Sequence, residues 1–284
     1  MNTSLLSIII PCYNDFKYIE QSVNSALKQT YQNKEVIVVD DGSNLKTKKV
    51  LKKLEIQLTK LITQENQGQS TARNVGIRAA KGAYILVLDS DDFFEETFCE
   101  KAITLIENST DEKLVSCYTN LLFDDGTSTC YKPIGGALKE FLFSNSAMGS
   151  VLFKKQDWEK VGGYDEDMRE GFEDWEFYIR LLATGGKAAI VDEYLFNYRK
   201  RTNSTSSRAN ASKLELLEYI YLKHSNLYKN NFELFVKHVL WKVQKEEKEA
   251  LKHLERIEYK IGFNLLKPYR FVMKLLSSVN QKRN

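Results

Sequence analysis

Residues 84–92 read Tyr84-Ile85-Leu86-Val87-Leu88-Asp89-Ser90-Asp91-Asp92, an apolar run that stops abruptly in a cluster of carboxylates. A second stretch repeats the arrangement, Ile37-Val38-Val39 ending in Asp40-Asp41-Gly42-Ser43. Short apolar runs rich in β-branched residues and bounded by turn residues read as buried strands, so both acidic clusters sit where strands stop. In an open parallel sheet the loops beyond the carboxyl ends diverge and leave the crevice in which ligands bind. The placement favours a site over random surface charge.

Working outward, further runs of the same kind lie at Leu6 to Ile10, Lys60 to Thr63 and Leu114 to Tyr118, with Glu35 to Val39 and Tyr84 to Leu88 completing the set. Helical patterns alternate with them from residue 4 to about 120, as in βαβ units that build a mostly parallel sheet covered by helices. Between the first two runs Ile19, Val23, Ala26, Leu27 and Thr30 recur at spacings of three and four, one stripe of a helix facing the sheet. Beyond residue 120 the alternation fades and Gly135-Gly136, Gly162-Gly163 and Gly185-Gly186 punctuate shorter elements. From about Ala209 the chain is helical and strongly charged. The division expected is 1–206 for an α/β domain, with 1–120 as the half whose strand ends form the ligand crevice and 121–206 as the half facing it, and 207–284 for a C-terminal helical extension.

The composition narrows the possibilities. A chain of 284 residues, 43% hydrophobic and 28% charged, can bury a sizeable core. Its 41 basic and 38 acidic residues leave a formal charge of +3, too balanced to imply nucleic-acid binding. Cys12, Cys99, Cys117 and Cys130 form no CxxC pair and have no His at metal-ligand spacing, which leaves reduced thiols as the expectation. The start, MNTSLLSIIIPCYN, has no basic residue before its short apolar run, so neither a signal peptide nor a membrane span is read there and a cytoplasmic location is expected.

Carboxylates crowded on one short loop repel one another unless a cation sits among them, and oxygen-only ligands suit Mg²⁺ or Mn²⁺ completed by water and substrate phosphates. Asp89-Ser90-Asp91-Asp92 is such a loop; the other reading is a solvated turn in which Asp92 caps a helix starting near Glu95. Asp40-Asp41-Gly42-Ser43 has its own bland alternative, a turn with Gly42 left-handed and Ser43 as helix cap.

Ser7-Ile8-Ile9-Ile10-Pro11-Cys12-Tyr13-Asn14, Val38-Val39-Asp40-Asp41-Gly42-Ser43, Gln67-Gly68 with Ala72-Arg73-Asn74, Asp89-Ser90-Asp91-Asp92 and Glu173-Asp174 follow one another in an order and approximate spacing that resembles glycosyltransferase family 2, over roughly residues 4 to 206. The resemblance implies an α/β GT-A fold, a Rossmann-like, mostly parallel sheet flanked by helices, and an inverting, metal-dependent transfer from a nucleotide-sugar. On matching positions it implies that Pro11, Tyr13 and Asp41 bind the donor, Tyr13 and Asp41 as the pair stacking on and hydrogen-bonding uracil, and that Arg73 helps hold the nucleoside. It implies that Asp89, Asp91 and Asp92 form the metal and ribose site, and that Asp174 is the catalytic base. Glu173, Trp175, Gly149 and Ser150, beside Met148, are expected on the acceptor side, with core packing as the alternative for Trp175 and an ordinary acidic helix start as that for Glu173-Asp174.

One departure lies in residues 198–206, where Arg201 falls at a position that carries His in many relatives. Arginine cannot ligate a cation but can clamp phosphate, so Arg199 or Arg201 is expected on the diphosphate, in a loop that orders when donor binds. The C-terminal stretch mixes Phe263, Leu265, Leu266, Tyr269, Phe271, Val272, Leu275 and Leu276 with Lys267, Arg270, Lys274, Lys282 and Arg283. That pattern can lie on an anionic membrane, form a homodimer contact or pack on the catalytic domain, and Pro268 argues against one unbroken helix.

The function expected is transfer from a UDP-sugar, with Mn²⁺ or Mg²⁺, to a glycan or lipid-linked glycan in bacterial surface polysaccharide synthesis, with no nucleic-acid partner. A nucleotidyltransferase would need a Gly-rich basic loop after the first strand, which Pro11-Cys12-Tyr13-Asn14 is not. An inactive glycan-binding scaffold is the remaining alternative.

Overall fold

A computed structural model describes residues 4–201, 209 and 211–281, the side chains of Val272 and residues 274–281 excepted. Four strands form its first half: β1 (Leu6–Cys12), β2 (Lys34–Asp41), β3 (Lys60–Gln64) and β4 (Tyr84–Val87). Their pairings with one another are parallel, β1 lying between β2 and β4 and β2 between β1 and β3. Every residue of β1 is buried, because helices cover both faces, and strands buried on both faces read as unbroken apolar runs. The spatial order 3-2-1-4 reverses direction between β1 and β4, which places the switch-point crevice at their carboxyl ends.

Pro11 opens that crevice. The carbonyl of Ile9 accepts from the Leu88 N–H, so Pro11, two residues on and facing the same side, falls where β4 has already left the ladder and no N–H is needed. Helices α1 (Ile19–Leu27), α2 (Leu45–Leu54) and α3 (Gln69–Ala79) connect these strands. Ile19, Val23 and Ala26 of α1 are buried as the spacing requires, but the helix ends at Leu27, and Thr30 is exposed beyond it. The cap of α2 is Asn44, whose side chain accepts from the Thr47 N–H; Ser43 instead gives its own N–H to Asp40.

The second half adds β5 (Phe93–Phe94), α4 (Phe98–Glu107), β6 (Glu112–Phe123), β7 (Ser128–Tyr131), α5 (Leu138–Phe141), β8 (Leu152–Lys154), α6 (Lys155–Val161), α7 (Glu173–Ala183) and β9 (Lys187–Lys200). The sheet becomes mixed here: β8 runs antiparallel to β4 and β6, whereas the long β6 and β9 are parallel. No helix starts at Glu95; Asp92 leads into β5, which pairs with β9, and α4 begins at Phe98. Helix α8 (Lys213–Lys223) ends the first compact unit, residues 1–223. The second unit, 224–284, contains α9 (Ser225–Asn230), α10 (Phe232–Glu255) and α11 (Ile257–Gln281). Helix α11 continues through Pro268, contrary to the break expected there. A proline forfeits one backbone hydrogen bond and crowds the preceding turn, at about 3 kcal/mol, which the rest of a 25-residue helix tolerates.

Candidate active site

At the carboxyl end of β2 the Asp41 carboxylate, almost wholly buried, accepts from the backbone N–H of Gln67 at 2.9 Å, from that of Gly68 at 2.9 Å and from Gln64 Nε2 at 2.7 Å. It thereby pins the loop that enters α3, whose first residue, Gln69, donates to Asp89 Oδ1 at 2.8 Å. Arg73, one turn on, is 1% exposed and bridges two elements, giving Nη2 to Asp89 at 2.8 Å and Nη1 to Glu173 at 2.6 Å. Its guanidinium lies 5.2 Å from the Tyr164 ring centre. Asp41, Asp89 and the start of α7 thus belong to one continuous hydrogen-bonded network, although about 130 residues of chain separate the ends. Arg73 serves this network from behind, with both terminal nitrogens committed to carboxylates.

Asp174 follows Glu173 in the first turn of α7. The turn is set by Gly171 and by Phe172, a non-glycine residue in the left-handed region at φ 62°, a conformation that costs about 1–2 kcal/mol. Asp174 Oδ2 accepts from Asn145 Nδ2 at 2.8 Å and Oδ1 from the Trp175 N–H at 2.8 Å. Burial, then the neighbouring Glu173, pushes this carboxyl up to about 7, against the lowering pull of Arg73. Gly149 passes directly over it: a Cβ there would stand 3.3 Å from Asp174 Oδ2 and 3.9 Å from Asp89 Oδ2. The backbone carbonyls of Met148 and Gly149 are held by the Tyr178 hydroxyl, and Ser150 Oγ accepts from the Asp89 N–H at 3.4 Å.

The opposite wall carries the other carboxylates. Asp91 pairs with the Arg201 guanidinium, which also donates to Asp15 at 3.1 Å, while Ser90 donates to Asp15 at 2.8 Å. Burial raises the Asp91 carboxyl to about 6; Arg201 opposes the shift, and Asp89 and Asp15 add to it. Asp92 is buried, accepts from the Arg199 N–H at 2.7 Å, and leaves Oδ2 with no hydrogen-bond partner. Burial and the adjacent Asp91 push its carboxyl well above the usual range. Arg199 donates to the Asp91 carbonyl and to Gln21, and its guanidinium lies 4.6 Å from the Tyr18 ring centre. Both arginines therefore face the acidic loop here, and residues 202–206 of the same motif lie outside the described residues.

Tyr13 stands 54% exposed past the end of β1, open for stacking. The following residue, Asn14, is left-handed at φ 58°, donates its N–H to Ser43 Oγ and accepts on Oδ1 from the Asn44 N–H, tying the loops after β1 and β2 together. Trp175 is enclosed instead of lining a pocket: it is 4% exposed, packs edge-on against Phe172, and donates Nε1 to the Phe141 carbonyl. Sequence reasoning did not reach Gln69, Asp15, Asn145 or Tyr178. Gln69 adjoins the quoted Gln67-Gly68, whereas Asn145, in Ser144-Asn145-Ser146-Ala147, carries no pattern that marks a partner.

For a divalent ion, Asp89 Oδ1 is committed to Gln69 and Arg73 and Asp91 is paired with Arg201, whereas Asp92 keeps a buried, unpartnered Oδ2; among the described residues no group of three or more His, Cys, Asp or Glu is arranged to hold one. Asp91, partly exposed and crowded by like charges, has the chemistry to take one. A single carboxylate with phosphate oxygens completing the shell is an ordinary Mg²⁺ arrangement.

The sequence profile of glycosyl transferase family 2 matches residues 7–161, and that of the N-terminal domain of galactosyltransferase matches residues 140–204. A glycosyltransferase of Streptococcus pneumoniae, GlyG, is 29% identical over 221 residues, 71% of this chain and 73% of that one. The chondroitin synthase of Escherichia coli is 32% identical over 190 residues, which are 64% of this chain but 27% of the synthase. The solved structure of S. aureus TarS 1-349 in complex with UDP-GlcNAc superposes with a TM-score of 0.59 at 22% identity, covering 71% of this chain and 60% of that one, and shares the fold.

Proposed function

The chain belongs to glycosyltransferase family 2, and from that membership we propose that it transfers a sugar with inversion from a UDP-sugar to an acceptor hydroxyl in the synthesis of a bacterial surface polysaccharide. The observation that carries this reading is the network joining Asp41, Asp89, Arg73 and Glu173, which brings the acidic end of β2 and the Asp174 carboxylate to one crevice. The relatives support the setting, since one is a chondroitin synthase of Escherichia coli and a fold neighbour was solved with UDP-GlcNAc.

In the step proposed, the acceptor hydroxyl gives its proton to Asp174 while its oxygen bonds to the anomeric carbon and the bond from that carbon to the diphosphate breaks, releasing UDP. Asp174 suits the role because a carboxyl raised to about 7 is basic enough to draw a proton and still ionised near neutrality. Asn145 fixes Oδ2, and the missing side chain of Gly149 leaves room beside that same oxygen. A divalent ion held by Asp91 would supply charge neutralisation to the leaving phosphate oxygens. Arg201, now paired with Asp91 and Asp15, is the cation at hand to follow the diphosphate when donor enters. Tyr13 would stack on the uracil ring and Asp41 would hold the loop around it.

The experiment is a donor panel, UDP-glucose, UDP-galactose, UDP-GlcNAc and GDP-mannose, followed by nucleotide release with Mn²⁺ or with chelator. UDP released from at least one donor only when metal is present is the expected result. Release confined to GDP-mannose, or turnover untouched by chelator, would overturn the donor or the metal assignment respectively.

A further inference from the structure

Helix α11 carries an apolar surface that its own unit does not cover. Ile257, Ile261, Leu265, Leu266, Tyr269 and Met273 are all exposed, Leu265 to 74%. At 100° per residue they span an arc of about half the helix circumference, on which Glu258, in the first turn, is the one charged residue. Lys260, Lys267 and Arg270 fall together on the opposite arc, and between Ile257 and Met273 the single acidic residue is Glu258. Neighbouring α10 is different in kind, with five lysines against five glutamates, so the excess positive charge of the unit's long helices sits beside the apolar arc of α11.

We infer that α11 lies in the plane of a membrane interface rich in anionic phospholipid, its apolar arc among the acyl chains and its lysines and arginine among the head groups. Charge complementarity selects this occupant. Basic residues flanking a broad apolar face with an aromatic member, here Tyr269, are what an interfacial helix needs. A helix partner would require only a narrow seam, whereas this arc spans about half the circumference. Among the described residues no helix is long and apolar enough to cross a membrane, which fits a helix lying on the surface.

The test is co-sedimentation of the full chain with vesicles of phosphatidylcholine alone or with phosphatidylglycerol added at about 30 mol%, for wild type and a K260E/K267E/R270E variant. Each basic residue near an anionic surface contributes roughly fivefold to partitioning, so the reversal is expected to cut binding to the mixed vesicles by about 100-fold or more. Wild-type binding is expected to weaken in high salt and to be much lower on phosphatidylcholine alone. Circular dichroism of the variant checks that helix content is retained; because the three side chains point away from the apolar arc, it should be. If the variant loses helix content, I261S/L265S replaces it and is expected to lose binding to the mixed vesicles. Equal partitioning onto both vesicle types overturns the inference. So does absence of binding, whether the chain is then monomeric or, by sedimentation velocity, a concentration-dependent dimer.

Discussion

Arg73 shows how a residue can be legible in identity and hidden in role. Its place in Ala72-Arg73-Asn74 marked it for the donor, but its position beneath the site, between Asp89 and Glu173, depends on contacts with residues 16 and 100 positions away that no local pattern encodes. Removing one partner from a buried ion pair leaves the other charge uncompensated, so Arg73→Ala is expected to cost about 3–5 kcal/mol in denaturant unfolding. A loss below about 1 kcal/mol would mean that the guanidinium is not the keystone of the network. Asp174 was readable only because Glu173-Asp174 follows the upstream motifs in order, since taken alone the pair reads as an ordinary acidic helix start; its proton affinity was not readable, because burial and the adjoining Glu173 raise it. A base must be ionised to act, so kcat/KM should rise with pH through about 7 and level off above it. The same shift works against the fold: the native state binds a proton that the unfolded chain has already lost, so Asp174 ionisation costs stability between its ordinary value of 3.8 and about 7. A pH–rate profile flat across that range would remove Asp174 as the titrating group.

At the scale of elements, the buried strands of the first half were the most readable part of the molecule, because strands covered on both faces become unbroken apolar runs such as Leu6 to Ile10. The second half was less so. Strand β9 is 14 residues long and mixes buried Val191, Leu195 and Phe196 with exposed Asp192 and Glu193, and its pairing with β6 shifts register three times, which erases a clean two-residue alternation. Helix α3 carries the network, and its seat on β1 depends on Gly76, where an added Cβ would come 2.4 Å from Ile9 Cγ2. Alanine would gain about 1 kcal/mol of helix propensity, yet overpacking costs about 1–3 kcal/mol. Gly76→Ala should therefore lower the melting temperature and, by displacing α3, reduce turnover as well. A variant as stable and as active as wild type would show that the sheet yields without disturbing the site.

For the molecule as a whole, sequence pattern conveyed the alternation of strands and helices and the order of motifs, while the closure of the site came from long-range pairing. The acidic ends of β2 and β4 could be placed on one crevice from the switch-point rule, but the arrival of Glu173-Asp174 opposite Asp89 depends on Arg73 and on the bare backbone of Gly149. The most direct measurement pairs two readings on Asp174→Asn: transfer of sugar to acceptor, and calorimetric binding of UDP with Mn²⁺. With the base removed and the donor-side residues untouched, transfer should fall by about 10²–10⁴-fold while UDP affinity stays within about threefold. Unchanged turnover would contradict the account by taking Asp174 out of the chemistry, and an equal loss of binding and transfer would contradict it by making Asp174 a structural or donor-holding group.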